Sequence, residues 1–224
     1  MQAHQGAAIK NGENMKSTKG FTLIEMAVVL AVIAVLAAIL TPLVTSYIDQ
    51  ARVTRANADT AQIAKAYILY YRDTAYWPVY TSLASAQAGN PSVQCQVSGT
   101  GSRTMPSQAS GNTSWSTAPL ACGTAGNVGI IREYLNVNTL GLSTGNPIGG
   151  GTSFRGPYMD GLDANDPWGN AYVVNARHLS TNDQTRWAFA ISAGPDGLLS
   201  TNGSQAKGSG PAVTAGDDIV SLIR

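Results

Sequence analysis

An apolar run of 20 residues, at positions 21–40, constrains this 224-residue chain more than any other feature. As an α-helix it would extend about 30 Å, which is the thickness of the hydrocarbon core of a bilayer. Its one charged side chain is Glu25, and no further charge occurs before Asp49. A carboxylate in such a segment costs roughly 2.5–3.5 kcal/mol on insertion scales, so Glu25 is a candidate functional residue.

Two simple interpretations of this run are a plain single-pass anchor and the apolar region of a secretory signal. A signal has an apolar core of about 7–15 residues and is cut after it, whereas Gly20 precedes this longer run. A plain anchor explains the length but neither Glu25 nor the Gly20–Phe21 junction. The complete pattern is KGFTLIE at residues 19–25 followed by an apolar helix. It resembles the N-terminus of the type IV pilin and pseudopilin superfamily.

The resemblance implies that residues 1–20 are a leader, with Met15 as a second candidate start. It implies cleavage between Gly20 and Phe21 by a prepilin peptidase on the cytoplasmic side, and N-methylation of Phe21. In a filament, the carboxylate of Glu25 would neutralise the Phe21 amine of a neighbouring subunit. Such a pairing offsets part of the cost of burying both charges.

Beyond the apolar run the sequence predicts a long helix in two parts. Residues 21–44 form the transmembrane and filament-core part, and Pro42 is expected to bend it, because proline removes a backbone hydrogen bond. Residues 45–75 form an amphipathic continuation. Its apolar stripe comprises Val53, Ala56, Thr60, Ile63, Ala64, Tyr67, Tyr70 and Tyr71. Residues 76–224 are then a periplasmic or extracellular globular domain.

The chain has two cysteines, Cys95 and Cys122, inside a segment at 81–127 that is rich in Ser, Thr, Gly, Gln and Asn. This segment lacks strong periodicity and is predicted to be an extended surface loop. In an oxidising compartment the two cysteines most simply form one disulfide, and two unpaired thiols are the alternative. Closing a loop of about 28 residues stabilises the fold by roughly 3–4 kcal/mol.

The C-terminal third contains GPYM at 156–159, DPWGNAY at 166–172, ISAGPDG at 191–197 and GDDI at 216–219. This order resembles the major pseudopilin of type II secretion systems. Asp-Pro and Gly-Asn favour turns, and residues 171–175 and 187–192 alternate as strands do. The expected fold class is therefore α+β, a type IV pilin-like fold in which the long helix packs on a small C-terminal antiparallel sheet.

The same resemblance implies a structural calcium site formed by Asp196 with Asp217 or Asp218. Calcium takes six to eight oxygen ligands, and backbone carbonyls near Ser192 and Leu198 are candidates to complete the set. Residues 198–216 between the acids look like an insertion, and they leave a second interpretation open. In that interpretation the aspartates are solvated turn residues.

Composition and motifs argue against an enzyme or a nucleic-acid-binding protein. Charged residues make up 12% of the chain, and removing residues 1–20 changes the net charge from +1 to −1. No basic footprint, phosphate loop, Gly-x-Ser-x-Gly motif or histidine cluster occurs. His178 near Asp183 is a conceivable pair of base and orienting acid, but the segment is typical of a hairpin loop.

The resemblance implies a structural subunit of a type II secretion pseudopilus, anchored in the inner membrane by one pass with its C-terminal domain in the periplasm. The implied partners are further copies of the chain, the prepilin peptidase, an inner-membrane assembly platform with its ATPase, and minor pseudopilins or pilins. Two alternatives remain open. One is a type IV pilin for adhesion, motility or DNA uptake, and the other is a tethered binding protein that does not polymerise.

Overall fold

The computed structural model describes residues 20–99, 104–122, 126–142, 152–160, 165–210 and 212–224. The leader up to residue 19, including Met15, lies outside the described residues, and so do parts of the predicted 81–127 loop. The chain divides into two units, one that ends at Tyr47 and one from Ile48 to Arg224.

The first unit contains the N-terminal part of helix α1, Leu23–Thr74. Its apolar side chains are exposed along the whole of this part, beginning with Phe21 at 84%. Pro42 lies inside α1, and nearby hydroxyl groups donate to backbone carbonyls there, as Thr41 Oγ1 does to Ala37 O at 2.7 Å and Thr45 Oγ1 to Pro42 O at 2.9 Å. The bend at Pro42 stays a prediction.

The second part of α1, from Ile48, belongs to the second unit and buries one face against the rest of that unit. The buried positions are Ala56, Thr60, Ile63, Ala64, Ala66, Tyr67, Tyr70 and Thr74. Two members of the predicted stripe do not belong to this face, because Val53 is 39% exposed and Tyr71 is 42% exposed. The Tyr71 ring instead stacks on Trp77 with the ring centres 4.3 Å apart.

The second unit has a five-stranded sheet and a separate two-stranded one. The strands are β1 (Cys95–Val97), β2 (Ser107–Gln108), β3 (Val128–Ile130), β4 (Val173–Val174), β5 (Phe189–Ser192), β6 (Leu198–Leu199) and β7 (Ile219–Leu222). The larger sheet has the order β3-β1-β4-β5-β7, and β2 pairs with β6. Two short helices, α2 (Leu83–Ala88) and α3 (Ile131–Asn136), and two 3₁₀ helices, Ala176–Leu179 and Lys207–Ser209, complete the elements.

The α+β fold class is confirmed, but the sheet is mixed rather than antiparallel. Strands β4, β5 and β7 form an antiparallel series, whereas β1 runs parallel to β3 and β2 parallel to β6. Parallel neighbours need a connection of a dozen or more residues. The segment between β1 and β3 is long enough to make that crossover, and its composition gives no sign of the direction of pairing.

The prediction that residues 81–127 form an extended loop was wrong, since α2, β1 and β2 all lie within this range. Strand β1 occupies an interior position of the sheet, and all three of its residues are buried. The polar Gln96 in this strand is satisfied internally, because it accepts a hydrogen bond from the Tyr67 hydroxyl and donates Nε2 to Pro78 O at 2.6 Å. A buried strand with a paired glutamine looks like a loop by composition alone.

The core of the second unit consists of two clusters. The larger one joins the buried face of α1 to α3, β4 and the Tyr172 region, and includes the fully buried Tyr67 and Tyr70. The other surrounds Trp115 and Phe189, whose rings meet edge to face with centres 6.0 Å apart. The predicted disulfide between Cys95 and Cys122 is present inside this second cluster, with a Cα–Cα distance of 5.6 Å.

Candidate functional site

Glu25 and Thr22 close the start of helix α1 as a capping box. The backbone N–H of Thr22 donates to Glu25 Oε2 at 2.8 Å, and the Thr22 hydroxyl donates to the same oxygen at 2.9 Å. In return, the Glu25 N–H donates to Thr22 Oγ1 at 3.2 Å. This reciprocal pattern satisfies backbone donors that a helix N-terminus otherwise leaves open. The carboxylate therefore sits in a defined position, one turn into the helix.

The predicted cleavage junction lies immediately before this capping box. Gly20 and Phe21 are both exposed and precede the first helical residue, Leu23. An exposed, non-helical peptide bond is accessible to a processing enzyme. Cleavage there would leave the new Phe21 amine two residues before Leu23, the first helical residue. The roles of Gly20, Phe21 and Glu25 in processing and assembly stay predictions.

The apolar surface that follows Glu25 has no protein partner within the described residues. Side chains such as Val28, Val32 and Leu36 are each more than half exposed. A surface of this size is far beyond the scattered apolar residues that soluble monomers expose. Within the described residues, α1 is the one helix long and apolar enough to cross a membrane, judged by length and composition. Lipid, or the helices of further copies, can cover such a surface.

The aspartates predicted to bind calcium lie on two facing turns. The Asp196 N–H donates to Asp217 Oδ2 at 3.0 Å, and Asp196 Oδ1 accepts from the Leu198 N–H at 2.7 Å. A Cβ atom at Gly194 would lie 2.4 Å from the Asp217 carbonyl oxygen, and Gly194 has a φ of +66°. Only glycine fits this close approach without strain. The two turns are therefore in direct contact.

Asp218 supplies one observation that bears on a cation. Its Oδ2 accepts from the backbone N–H groups of Ser200 and Thr201, at 2.9 and 2.5 Å, whereas its buried Oδ1 has no hydrogen-bond partner among the residues that the structure describes. Burial raises the pKa of this carboxyl group. A cation at Oδ1 would satisfy the free oxygen and favour the charged form. However, no group of three or more metal-ligating side chains is assembled within the described residues, so Asp218 offers one oriented ligand rather than a complete set.

His178, Asp183 and Ser204 form a buried polar chain. His178 Nδ1 lies 2.7 Å from Asp183 Oδ2, and Nε2 lies 3.4 Å from Ser204 Oγ. The order of groups is that of a hydrolase triad, but the imidazole is completely buried, so no substrate can reach it. Burial lowers the pKa of His178, although hydrogen bonding to Asp183 opposes the shift. The chain of groups therefore has a structural role.

Sequence reasoning missed two features of the site. The first is Thr22 as the capping partner of Glu25, which the spacing Thr-x-x-Glu would have indicated. The second is the contact of α1 with Tyr172, the residue before strand β4, whose hydroxyl donates to Asp59 Oδ2 at 2.7 Å. Arg55 lies 3.5 Å from the same carboxylate oxygen. No local sequence pattern predicts that contact, because Asp59 and Tyr172 are 113 positions apart.

Comparison with known proteins finds one matching sequence motif and one similar curated protein. Residues 15–41 match the prokaryotic N-terminal methylation motif. The chain is 39% identical over 80 residues to the type II secretion system core protein G of Pseudomonas aeruginosa. That alignment covers 34% of this chain and 56% of the relative, so the chain spans about half the length of the protein it matches. No solved structure matches the chain. These findings confirm the resemblance to type IV pilins and pseudopilins.

Proposed function

We propose that this chain, a type IV pilin-like protein by its N-terminal motif and its fold, is a structural subunit of a type II secretion pseudopilus. The observation that carries the proposal is the methylation motif at 15–41 followed by an apolar helix whose surface lacks a protein partner within the described residues. The similarity to a type II secretion core protein supports the secretion system over other filaments. The chain is thus a structural subunit, not an enzyme.

Two successive environments account for the apolar part of α1. Before assembly, the helix lies in the inner membrane, where its apolar surface contacts lipid and its backbone groups are bonded within the helix. After assembly, the same surface packs against the corresponding helices of neighbouring copies. Because the two environments are similarly apolar, the hydrophobic effect contributes little to the transfer, and specific contacts determine assembly.

Glu25 supplies such a specific contact. A carboxylate in an apolar filament core is stable only when a cation pairs with it. Cleavage after Gly20 creates a cation at Phe21, and every copy in the filament carries both groups. Pairing the Glu25 of one copy with the Phe21 amine of its neighbour satisfies each charge and also sets the axial register of adjacent helices.

The remaining partners follow from this role. The prepilin peptidase cleaves at Gly20–Phe21, and an inner-membrane platform with its ATPase extracts each subunit from the bilayer. Minor pseudopilins complete the filament. The globular domain lies in the periplasm, because the basic leader is retained on the cytoplasmic side. In the periplasm, the oxidising conditions maintain the disulfide between Cys95 and Cys122.

The first test is the intact mass and N-terminal peptide of the protein recovered from membranes. The proposal expects a chain that begins at N-methyl-Phe21 in cells with an active peptidase. The matched control is the same protein from peptidase-deficient cells, which keeps its leader. A chain that retains residues 1–20 in peptidase-competent cells would refute the filament role and favour a plain tethered domain.

A surface type IV pilus is the second candidate function. The observation in its favour is the Ser/Thr/Gly-rich composition of residues 81–127, together with the disulfide that joins Cys122 to strand β1. Deletion of the gene separates the two functions. Loss of secreted enzymes without loss of surface fibres supports the pseudopilus, whereas loss of long sheared fibres that contain this chain supports the pilus.

We also propose that calcium binds beside Asp218, with Asp196 and Asp217 on the facing turns as further ligands. The free, buried Oδ1 of Asp218 supports this assignment. The test is the melting temperature of the processed protein with calcium and with magnesium. Calcium should raise it, and Asp218→Asn should abolish the rise. An equal response to both ions, or no response to calcium, would identify the three residues as turn aspartates.

A further inference from the structure

The residues that flank strands β5 and β7 are positively charged at one end of the strand pair and negatively charged at the other. Arg186 precedes β5 and Asp196 follows it, whereas Asp217 and Asp218 precede β7 and Arg224 follows it. The two strands are antiparallel, and the first residue of β5 pairs with the last residue of β7. Both arginines therefore lie at one end of the strand pair, and the three aspartates lie at the other.

Two more cations lie at the arginine end. Strand β4 is antiparallel to β5, so Arg177, which follows β4, reaches the same end. The Lys207 N–H donates to the Thr185 carbonyl at 2.8 Å, and its Nζ lies 5.2 Å from the centre of the Trp187 ring. Burial, together with the positive charge of Arg224, lowers the pKa of Lys207. We call Arg177, Arg186, Lys207 and Arg224 the basic end.

The positive charges of the basic end outnumber the acidic side chains that face them. Asp183 is the acidic side chain that faces it within the described residues, and its carboxylate is shared between His178 Nδ1 at 2.7 Å and Arg186 Nη1 at 3.6 Å. Arg224 directs Nη2 to backbone carbonyls, including Asp183 O at 2.9 Å, rather than to a carboxylate. Arg177 donates Nη1 to Gln94 Oε1 at 2.8 Å, and among the described residues the buried Nε atoms of Arg177 and Arg224 have no hydrogen-bond partner. Four cations therefore face one acidic side chain, and the basic end keeps a net positive charge.

The opposite end carries Asp196, Asp217 and Asp218, which we call the acidic end. Asp196 and Asp217 are exposed. Their hydrogen bonds come from backbone N–H groups such as those of Asp196 and Leu198, and no ion pair joins the acidic end to a cation in the part of the chain that the structure describes. A calcium ion bound there would still leave a net negative charge.

The distance between the two ends keeps their charges independent. Asp217 and Arg224 are separated by strand β7, which corresponds to roughly 20 Å at about 3.3 Å per residue. The Debye length is about 8 Å at physiological ionic strength, so the two ends cannot neutralise each other within one copy. Each end is therefore available to a complementary charge on another molecule.

We infer that the basic end of one copy docks against the acidic end of the next copy in a head-to-tail contact. The partner is a second copy of this chain, because the chain itself carries both complementary surfaces. A contact between two different surfaces repeats without closing and so builds an open filament. Complementary charges also steer the approach and select the orientation. The inference rests on the proposed filament function and assigns it a contact outside the helix core.

Charge reversal at each end tests the contact in the full-length chain. One variant carries Arg186→Glu with Lys207→Glu, which makes both ends acidic. The other carries Asp196→Lys with Asp217→Lys, which makes both ends basic. Filament yield in the shear fraction is measured for each variant alone and for the two co-expressed. The matched control reverses two exposed charges on α1, Lys65→Glu with Arg72→Glu.

Each variant alone should lose at least about tenfold in filament yield, because attraction is replaced by repulsion in every repeat. Co-expression should restore the yield, since the two variants alternate with complementary ends, and the control should assemble like the original chain. Added salt should shorten the original filaments.

Near-normal yield from the Arg186/Lys207 variant would overturn the inference, and so would co-expression without rescue when both variants are folded and processed. The acidic-end variant also removes proposed calcium ligands, so the basic-end variant decides the case if the acidic-end variant fails to fold. N-terminal processing is recorded in every strain. Processed original chains that form filaments, together with unaffected variants, reject the contact but keep the filament function. Unprocessed original chains reject both.

Discussion

Replacing Glu25 tests the assembly role most directly, because two substitutions separate its two functions. In this structure the Glu25 carboxylate caps the start of α1 through Thr22, and in a filament it is proposed to neutralise a neighbouring amine. Glu25→Gln keeps an acceptor for the Thr22 N–H but removes the charge. Glu25→Ala removes both. Thr22→Ala is the matched control, because it weakens the cap and leaves the carboxylate in place.

The magnitudes of the two effects differ. Loss of a helix cap costs about 0.5–2 kcal/mol and affects only the first turn. Removing the carboxylate leaves the partner amine unpaired in an apolar core, which costs about 3–5 kcal/mol. At 1.4 kcal/mol for each factor of ten, this corresponds to an association constant lower by about 10²- to 4 × 10³-fold. Membrane insertion should not suffer, since the apolar run becomes more apolar.

The assay compares filament yield with the amount of processed subunit in the membrane. Glu25→Gln and Glu25→Ala should both insert and be cleaved, yet assemble poorly, whereas Thr22→Ala should assemble nearly as well as the original chain. Filament yield from Glu25→Gln equal to that of the original chain would refute the charge-pairing argument. It would leave Glu25 with a capping role alone.

Three further predictions concern the stability of the processed protein, measured by chemical denaturation. Changing Cys95 and Cys122 to serine should cost about 3–4 kcal/mol, and a loss below about 1 kcal/mol would show that the bridge constrains little. Tyr67→Phe should cost about 1–3 kcal/mol, because it leaves the buried Gln96 oxygen without its donor, and an unchanged denaturation midpoint would contradict this. Burial lowers the pKa of His178 in the folded state. The free energy of unfolding should therefore decline as the pH falls below about 6.5, the pKa of an exposed histidine. A His178→Gln variant should lack this decline.

Prediction from sequence worked best where the controlling interaction is local. The length of the apolar run, the position of Glu25 and the Gly20–Phe21 junction lie within 21 consecutive residues, and their physical meaning depends on lipid and helix geometry alone. The helical periodicity of α1 also identified most of its buried face. Val53 and Tyr71 fell outside that face, because periodicity specifies a direction on the helix but not the width of the surface that packs against it.

Tertiary structure decided the features that depend on distant partners. Gln96 is buried because Tyr67 and Pro78 satisfy it, and these residues are 29 and 18 positions away. The parallel pairing of β1 with β3 follows from the path of a long connection, which composition does not encode. The same holds for the basic and acidic ends, since Arg186 and Arg224 share an end only through antiparallel pairing of β5 and β7. The sequence by itself thus determined the membrane-length apolar helix with its single carboxylate, whereas strand pairing determined which charges share an end of the sheet.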